Sequence, residues 1–308
     1  MRIVVLDGYT LNPGDLSWSA FEAIGDIVVY DRTPHDEIIT RAAGAEIILA
    51  NKTVLTKEHF AALPDVKYVG LLATGYNTVD VNEAGKRGIV VTNVPAYSTA
   101  SVAQLTFALL LELCNHVQAH SESVRAGEWS AAVDFTFYKY PLIELSDKIM
   151  GIIGFGQIGQ AVAKIAQSFG LVVMTCDKGG DADDIFKNSD IVSLHCPLFP
   201  ETQGLINKEN LEKMKKTALL INTSRGGLVV DQDLADALNS GRIAGAGLDV
   251  LSVEPPPVDN PLLTAKNCVI TPHIAWASLA SRGRLMTAIF ENLRCFLNGN
   301  PINVVSKG

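Results

Sequence analysis

The sequence predicts an α/β protein of two doubly wound parallel-sheet units. Three observations carry this expectation. The chain has 308 residues, more than one hydrophobic core usually organises, which favours two domains. Short β-branched runs bounded by Gly, Asn, Asp or Pro alternate with helical patterns along its whole length. That alternation occurs twice, with a long helical stretch between the two series.

In the first series the strand runs are 3–6, 27–30, 47–50, 68–72 and 89–92, apolar enough to be buried on both faces as parallel strands are. A continuous helix is expected over 99–120, capped by Ser98 or Ser101. Residues 127–145 form a looser segment with several aromatics and a proline. The second series has strand runs at 149–153, 171–176, 191–195, 218–222, 244–249 and 268–271. A helix over 158–169 separates its first two strands and ends at Gly170, a residue suited to the left-handed C′ position. A last helix is expected over 279–297. The domain junctions fall on the two long helices.

Bulk properties exclude several classes. Lys and Arg number 25 and Asp and Glu 33, a net charge of −8. A field of that sign repels nucleic acids and anionic membranes. The apolar run 102–114 is too short to span a bilayer and holds Gln104 and Glu112. The N-terminal MRIVVLDG enters a strand directly, without the features of a secretory signal. Five scattered cysteines, 114, 176, 196, 268 and 295, form no CxxC or zinc spacing. They read as reduced thiols in a cytoplasmic protein without a structural metal.

The first chemical motif is Gly154-Phe155-Gly156-Gln157-Ile158-Gly159, after an apolar strand and at the start of an amphipathic helix. Gly154 suits a tight turn, Gly156 admits a pyrophosphate close to the backbone, and Gly159 lets helix and strand pack closely. The helix N-terminus adds unpaired N–H groups and a positive dipole end. Asp177 lies 18 residues beyond Gly159, at the end of the next strand, where a carboxylate binds ribose hydroxyls. It would repel a 2′-phosphate, so NAD is expected over NADP, although the neighbouring Lys178 is a cation that tolerates one.

Arg225, Glu254 and His273 follow near three later strand ends, where open α/β sheets bind ligands. Reducing a ketone produces an alkoxide that a histidine can protonate. A carboxylate beside the ring fixes it, and an arginine clamps a substrate carboxylate. Taken singly, each of these residues is as readily an ordinary ion pair or loop residue, and spacing alone does not bring them together.

Together these motifs resemble the D-isomer-specific 2-hydroxyacid dehydrogenase family. The matching strings are 154–159 with Asp177, His195-Cys196-Pro197-Leu198, 222–227, Asp249 with Glu254-Pro255-Pro256, and Thr271-Pro272-His273. The strings 69–80 (VGLLATGYNTVD) and 94–104 (VPAYSTASVAQ) add to them; Gln104 departs from the Glu of many relatives. The resemblance implies two Rossmann-like domains, the first discontinuous: 1–98 plus 284–308 for substrate and 99–283 for NAD. It implies catalytic roles for Arg225, Glu254 and His273. It implies that Gly75 and Tyr76 offer N–H groups to the substrate carboxylate, alongside Arg225 and His273. Thr74, Gln157, Ile158, Cys196, Thr223 and Asp249 would surround the cofactor. It further implies closure of one domain on the other and a homodimer with the 99–120 helix at its centre. The strings 140–145 and 273–278 point toward hydroxypyruvate and D-glycerate as substrates. Glyoxylate and D-lactate are the enzymatic alternatives, and a non-enzymatic NAD-sensing binding protein is the rival of another class. The chain ends soon after the last helix, against the appended regulatory domain common in phosphoglycerate dehydrogenases.

Overall fold

A computed structural model describes residues 1–306 of the chain. The chain divides into two compact units, Met1–Ser98 with Ala277–Gly308, and Thr99–Trp276.

The first unit holds β1 (Arg2–Val5), α1 (Ser19–Glu22), β2 (Asp26–Val29), α2 (Ile38–Ala42), β3 (Ile47–Ala50), α3 (Lys57–Ala62), β4 (Tyr68–Leu71), α4 (Val81–Lys86) and β5 (Val90–Thr92). Among its described residues the five strands of the sheet are all parallel, in the order β2-β1-β3-β4-β5. The β-branched runs behave as expected: every residue of β3 and β4 is buried, and the core is Ile, Leu and Val from these strands with Phe60 and Leu63.

The second unit holds α5 (Thr99–Asn115), α6 (Val117–Arg125), β6 (Ile149–Ile153), α7 (Gln157–Ser168), β7 (Val172–Cys176), α8 (Asp183–Asn188), β8 (Ile191–Leu194), α9 (Lys208–Lys213), β9 (Leu219–Asn222), α10 (Asp231–Asn239), β10 (Gly245–Leu248) and β11 (Cys268–Ile270). Its six strands are parallel in the order β11-β10-β9-β8-β6-β7. One apolar cluster joins the sheet to α5 and α7 and another joins it to α8, α9 and α10. Strand order reverses between β6 and β8, which makes the end of β6 the topological switch point.

The chain re-enters the first unit for α11 (Leu279–Leu297). The family resemblance implies that return at 284; the compact unit begins at Ala277. The difference has a physical cause in the first turn of α11. Arg282, buried to 8% exposure, donates to both carboxylate oxygens of Asp15 at 2.7 and 2.6 Å and to the Leu11 carbonyl at 3.0 Å. Later turns set Phe290 edge-on to Phe21 and pack Phe296 at a tilt against Tyr68.

The continuous helix expected over 99–120 is broken. His116 adopts φ 47, ψ 47, and α5 and α6 meet at a 55° bend. The Cys114 carbonyl, which an unbroken helix would pair with residue 118, accepts instead from the Ile143 N–H at 3.0 Å. No single helix among the described residues is long and apolar enough to cross a membrane. The bent α5–α6 pair passes that test jointly, but eight residues of α5 are buried in the protein core.

Candidate active site

Pairing in the second sheet puts Cys176, Ile153, Leu194, Asn222, Leu248 and Ile270 in one register row. Every motif residue of this unit follows that row at the carboxyl edge. Asp177, Gly154, Cys196, Thr223 with Arg225, Asp249 and His273 each leave their strand within three residues of it.

At the switch point Gly154 takes φ +94, which a side chain disfavours, and a Cβ there would run into the backbone of His195 and Cys196. A Cβ on Gly159 would overlap the Gly154 carbonyl, so that glycine permits the close approach of α7 to β6. Gly156 is different: its Cβ direction is open, with nothing within 4 Å. It occupies the N-cap of α7 and supplies no side-chain cap, so no cap side chain covers the dipole end and the first-turn N–H groups at Gln157 and Ile158. Asp177 is exposed beside the turn, its Oδ1 3.4 Å from the Phe155 N–H. A cradle without side chains next to an exposed carboxylate fits the pyrophosphate and ribose of a dinucleotide.

Cys196 is buried behind Gly154, and burial raises its thiol pKa. Its carbonyl accepts from Ser224 Oγ at 2.6 Å. Thr223 is also buried, with Oγ1 turned toward Thr106 of α5 at 3.0 Å. The buried Asn222 shapes the next turn: Oδ1 accepts from the Ser224 N–H at 3.0 Å and Nδ2 donates to the Arg225 carbonyl at 2.9 Å. The turn presents Arg225 to solvent, with Nη1 donating to the Ser224 carbonyl at 2.7 Å. Gly226 then lies directly against the Leu251 carbonyl, where any Cβ would collide. The arginine loop and the loop bearing Glu254 are therefore packed backbone to backbone.

The one pairing of an acid with a base in this set joins Glu254 Oε2 to His273 Nδ1 at 2.6 Å. The other carboxylate oxygen accepts from the Leu251 N–H at 3.2 Å. Both side chains are about one-third exposed. His273 takes φ +54, an uncommon conformation for a side chain that bulky. Asp249 holds it there. The Asp249 carbonyl accepts from the His273 N–H at 2.8 Å. Its carboxylate accepts from Thr271 Oγ1 at 2.6 Å and from the Ile274 and Ala275 N–H groups at 2.8 Å. Burial raises the Asp249 pKa, and these bonds oppose the rise.

In the first unit, the loop after β4 carries Thr74, Gly75 and Tyr76. Thr74 Oγ1 donates to the Val94 carbonyl at 2.8 Å, and the Tyr76 ring is 45% exposed. Within the second unit, then, His273 and Glu254 are brought into contact and the glycine turn is brought to Asp177. Thr223 and Asp249 direct their side chains inward, to α5 and to the histidine loop. Asn222, Ser224 and Asp249 shape the loops through side-chain bonds that no spacing announces. Among the described residues no cluster of three or more His, Cys, Asp or Glu side chains could hold a metal.

This arrangement has known counterparts. The family described as D-isomer specific 2-hydroxyacid dehydrogenase, NAD binding domain, matches residues 107–275. A hydroxypyruvate reductase of Blautia hydrogenotrophica is 53% identical over 322 aligned positions, covering 100% of both chains. A glycerate dehydrogenase of Methylorubrum extorquens is 38% identical, covering 99% of this chain and 98% of its own. Among solved structures, D-lactate dehydrogenase with NAD+ from Lactobacillus jensenii is similar with a TM-score of 0.82 and 28% identity, covering 100% of both chains. The chain belongs to the D-isomer specific 2-hydroxyacid dehydrogenase family, and its second unit is the NAD-binding domain.

Proposed function

We propose that this enzyme interconverts a small 2-keto acid and its D-2-hydroxy acid, with hydroxypyruvate and D-glycerate as the preferred pair. The observation that carries the chemistry is the 2.6 Å contact between His273 and Glu254 on the sheet edge that bears the dinucleotide turn. When bound, the nicotinamide supplies or accepts the hydride. His273 supplies the proton that the new alkoxide needs and takes it back in the reverse direction. With Nδ1 committed to Glu254, Nε2 is the nitrogen that exchanges it. Glu254 fixes the ring plane and balances the charge of the doubly protonated ring. Arg225 clamps the substrate carboxylate and polarises the keto oxygen. Gly75 and Tyr76 offer backbone N–H groups to the carboxylate.

Gly154, Gly156, Gln157, Ile158 and Gly159 receive the pyrophosphate, and Asp177 the ribose. Thr74, Cys196, Thr223 and Asp249 complete the cofactor's surroundings. The last three do so through backbone and shape, since their side chains are buried.

The substrate assignment follows the full-length relative named hydroxypyruvate reductase. Its test is a panel of hydroxypyruvate, glyoxylate, pyruvate and bulkier keto acids with NADH and with NADPH. The highest kcat/KM is expected for hydroxypyruvate with NADH. A tenfold preference for glyoxylate or pyruvate overturns the substrate, and absence of turnover on all of them overturns the enzyme reading in favour of a cofactor-sensing protein. Arg225→Ala with near wild-type turnover removes the clamp.

A homodimer in the cytoplasm belongs to the same proposal. Val133, Phe135 and Tyr138 are 101%, 89% and 73% exposed on the segment after α6, an apolar display typical of an interface. The five unpaired cysteines suit a reducing compartment. Light scattering is expected to give twice the 33.0 kDa chain mass; the mass of one chain refutes the dimer.

A further inference from the structure

We propose that Asp231, at the start of α10, is a positioning residue for the Glu254–His273 pair. The inference rests on the catalytic reading of that pair. Glu254 lies on an irregular loop that leaves β10 and does not re-enter regular structure until residue 261. Such a loop has no ladder of its own to fix a side chain. Asp231 supplies the missing fixture from outside it. Asp231 Oδ2 accepts from Ser252 Oγ at 2.6 Å and from Asn260 Nδ2 at 2.7 Å. The two donors flank Glu254, one two residues before it and the other six after, so a single carboxylate oxygen closes the base of the loop.

Two further contacts carry this fixture to the reacting pair. The backbone next to Ser252 donates from the Leu251 N–H to Glu254 Oε1 at 3.2 Å. The Leu251 carbonyl is pressed against Gly226, next to Arg225. Ser252 thus ties α10 to the segment that holds Glu254 from one side and Arg225 from the other. Asn260 is buried, and its Oδ1 accepts from the Leu262 N–H at 3.0 Å, which anchors the far end of the loop.

The cost of this arrangement shows in Asp231 itself. Its Oδ1 is buried and has no hydrogen-bond partner among the described residues. One carboxylate oxygen left buried and unpaired on a half-buried side chain lowers stability, and a residue chosen for fold alone has no need of it. An asparagine in its place keeps an oxygen for Ser252 and Asn260 without the charge.

The test is a set of variants of the full-length enzyme assayed with hydroxypyruvate and NADH. Asp231→Ala is expected to lower kcat roughly tenfold, as a displaced catalytic group does, with KM for NADH changed less than twofold. Asp231→Asn is expected to recover most of that loss. In a Glu254→Gln background Asp231→Ala is expected to cost less than twofold, because the group it positions is already gone. An equal loss in both backgrounds shows a merely structural role and overturns the proposal, as does wild-type kcat in Asp231→Ala. If Asp231→Ala does not fold, Ser252→Ala replaces it in the same cycle, with a loss of about threefold expected in the wild-type background and none beside Glu254→Gln. Glu254→Gln at wild-type turnover refutes the catalytic reading instead, a result the same assays distinguish.

Discussion

Glu254 Oε2 and His273 Nδ1 lie 2.6 Å apart across 19 residues of chain, joining the loops after β10 and β11. The contact leaves one ring nitrogen for chemistry and one for orientation. His273→Ala is expected to lower kcat by ~10²–10⁴-fold, the range general acid–base assistance supplies. KM for NADH should stay near its original value, because the ring does not form the glycine turn. Steady-state kinetics in both directions check this; a variant retaining half of wild-type turnover sinks the assignment.

Asp177 is exposed beside the glycine turn, 3.4 Å from the Phe155 N–H. A carboxylate there repels a 2′-phosphate. Asp177→Ala is expected to raise KM for NADH and lower it for NADPH, narrowing the ratio of their kcat/KM values by tenfold or more. The adjacent Lys178 should assist binding of the phosphate once the acid is gone. An unchanged ratio means the carboxylate does not select the cofactor.

Two glycines of one motif should fail in different ways. A methyl at Gly156 meets nothing within 4 Å, whereas one at Gly159 meets the Gly154 carbonyl. Gly156→Ala is expected to keep its melting temperature and lose affinity for NADH, since the methyl meets no protein atom and intrudes only on the proposed pyrophosphate site. Gly159→Ala is expected to lose roughly 1–3 kcal/mol of stability through overpacking. Thermal melts and cofactor titrations separate the two, and matching losses in both variants contradict the division of roles.

Much of this architecture was legible in the chain because buried parallel strands leave near-continuous apolar runs. All eleven strand runs lie within two residues of the observed strands. The glycine turn was legible because its constraints are local, a tight turn and a close approach within six residues. The break at His116 was not, since the Cys114 carbonyl it frees finds its partner in the Ile143 N–H, 29 residues away. The return at Ala277 rather than 284 likewise depends on Arg282 meeting Asp15, a pairing across 267 residues. Arg225, Glu254 and His273 were nameable through the family's motif order. What holds two of them, Asp231 through Ser252 and Asp249 through Thr271, depends on side-chain directions that residue spacing does not encode.

Asp249 should be intolerant of even an isosteric change. Its two carboxylate oxygens accept three bonds, from Thr271, Ile274 and Ala275. An asparagine must turn an NH2 group toward at least one of those donors. Asp249→Asn is therefore expected to cost about 1–3 kcal/mol in urea denaturation. It should also lower kcat, because the same loop keeps His273 at its positive φ. Stability within 0.5 kcal/mol of the parent would falsify this account.

The second histidine of this edge makes an acid-lability prediction. His195 Nε2 pairs with Ser193 Oγ at 2.8 Å, while its Nδ1 is buried without a hydrogen-bond partner among the described residues. Burial pushes its pKa from 6.5 down to about 4. Between those values the unfolded chain binds a proton at this ring that the folded chain refuses, so unfolding gains as pH falls. The contribution to stability is complete above pH 6.5 and is lost progressively toward pH 4, with a full size of roughly 3 kcal/mol. Urea denaturation between pH 4.5 and 7.5 should show this slope in the wild type and a shallower one in His195→Gln, whose side chain does not titrate. Parallel slopes in the two proteins would place the acid sensitivity elsewhere, with the buried His59 of α3 the next candidate, since burial and the neighbouring His35 also lower its pKa.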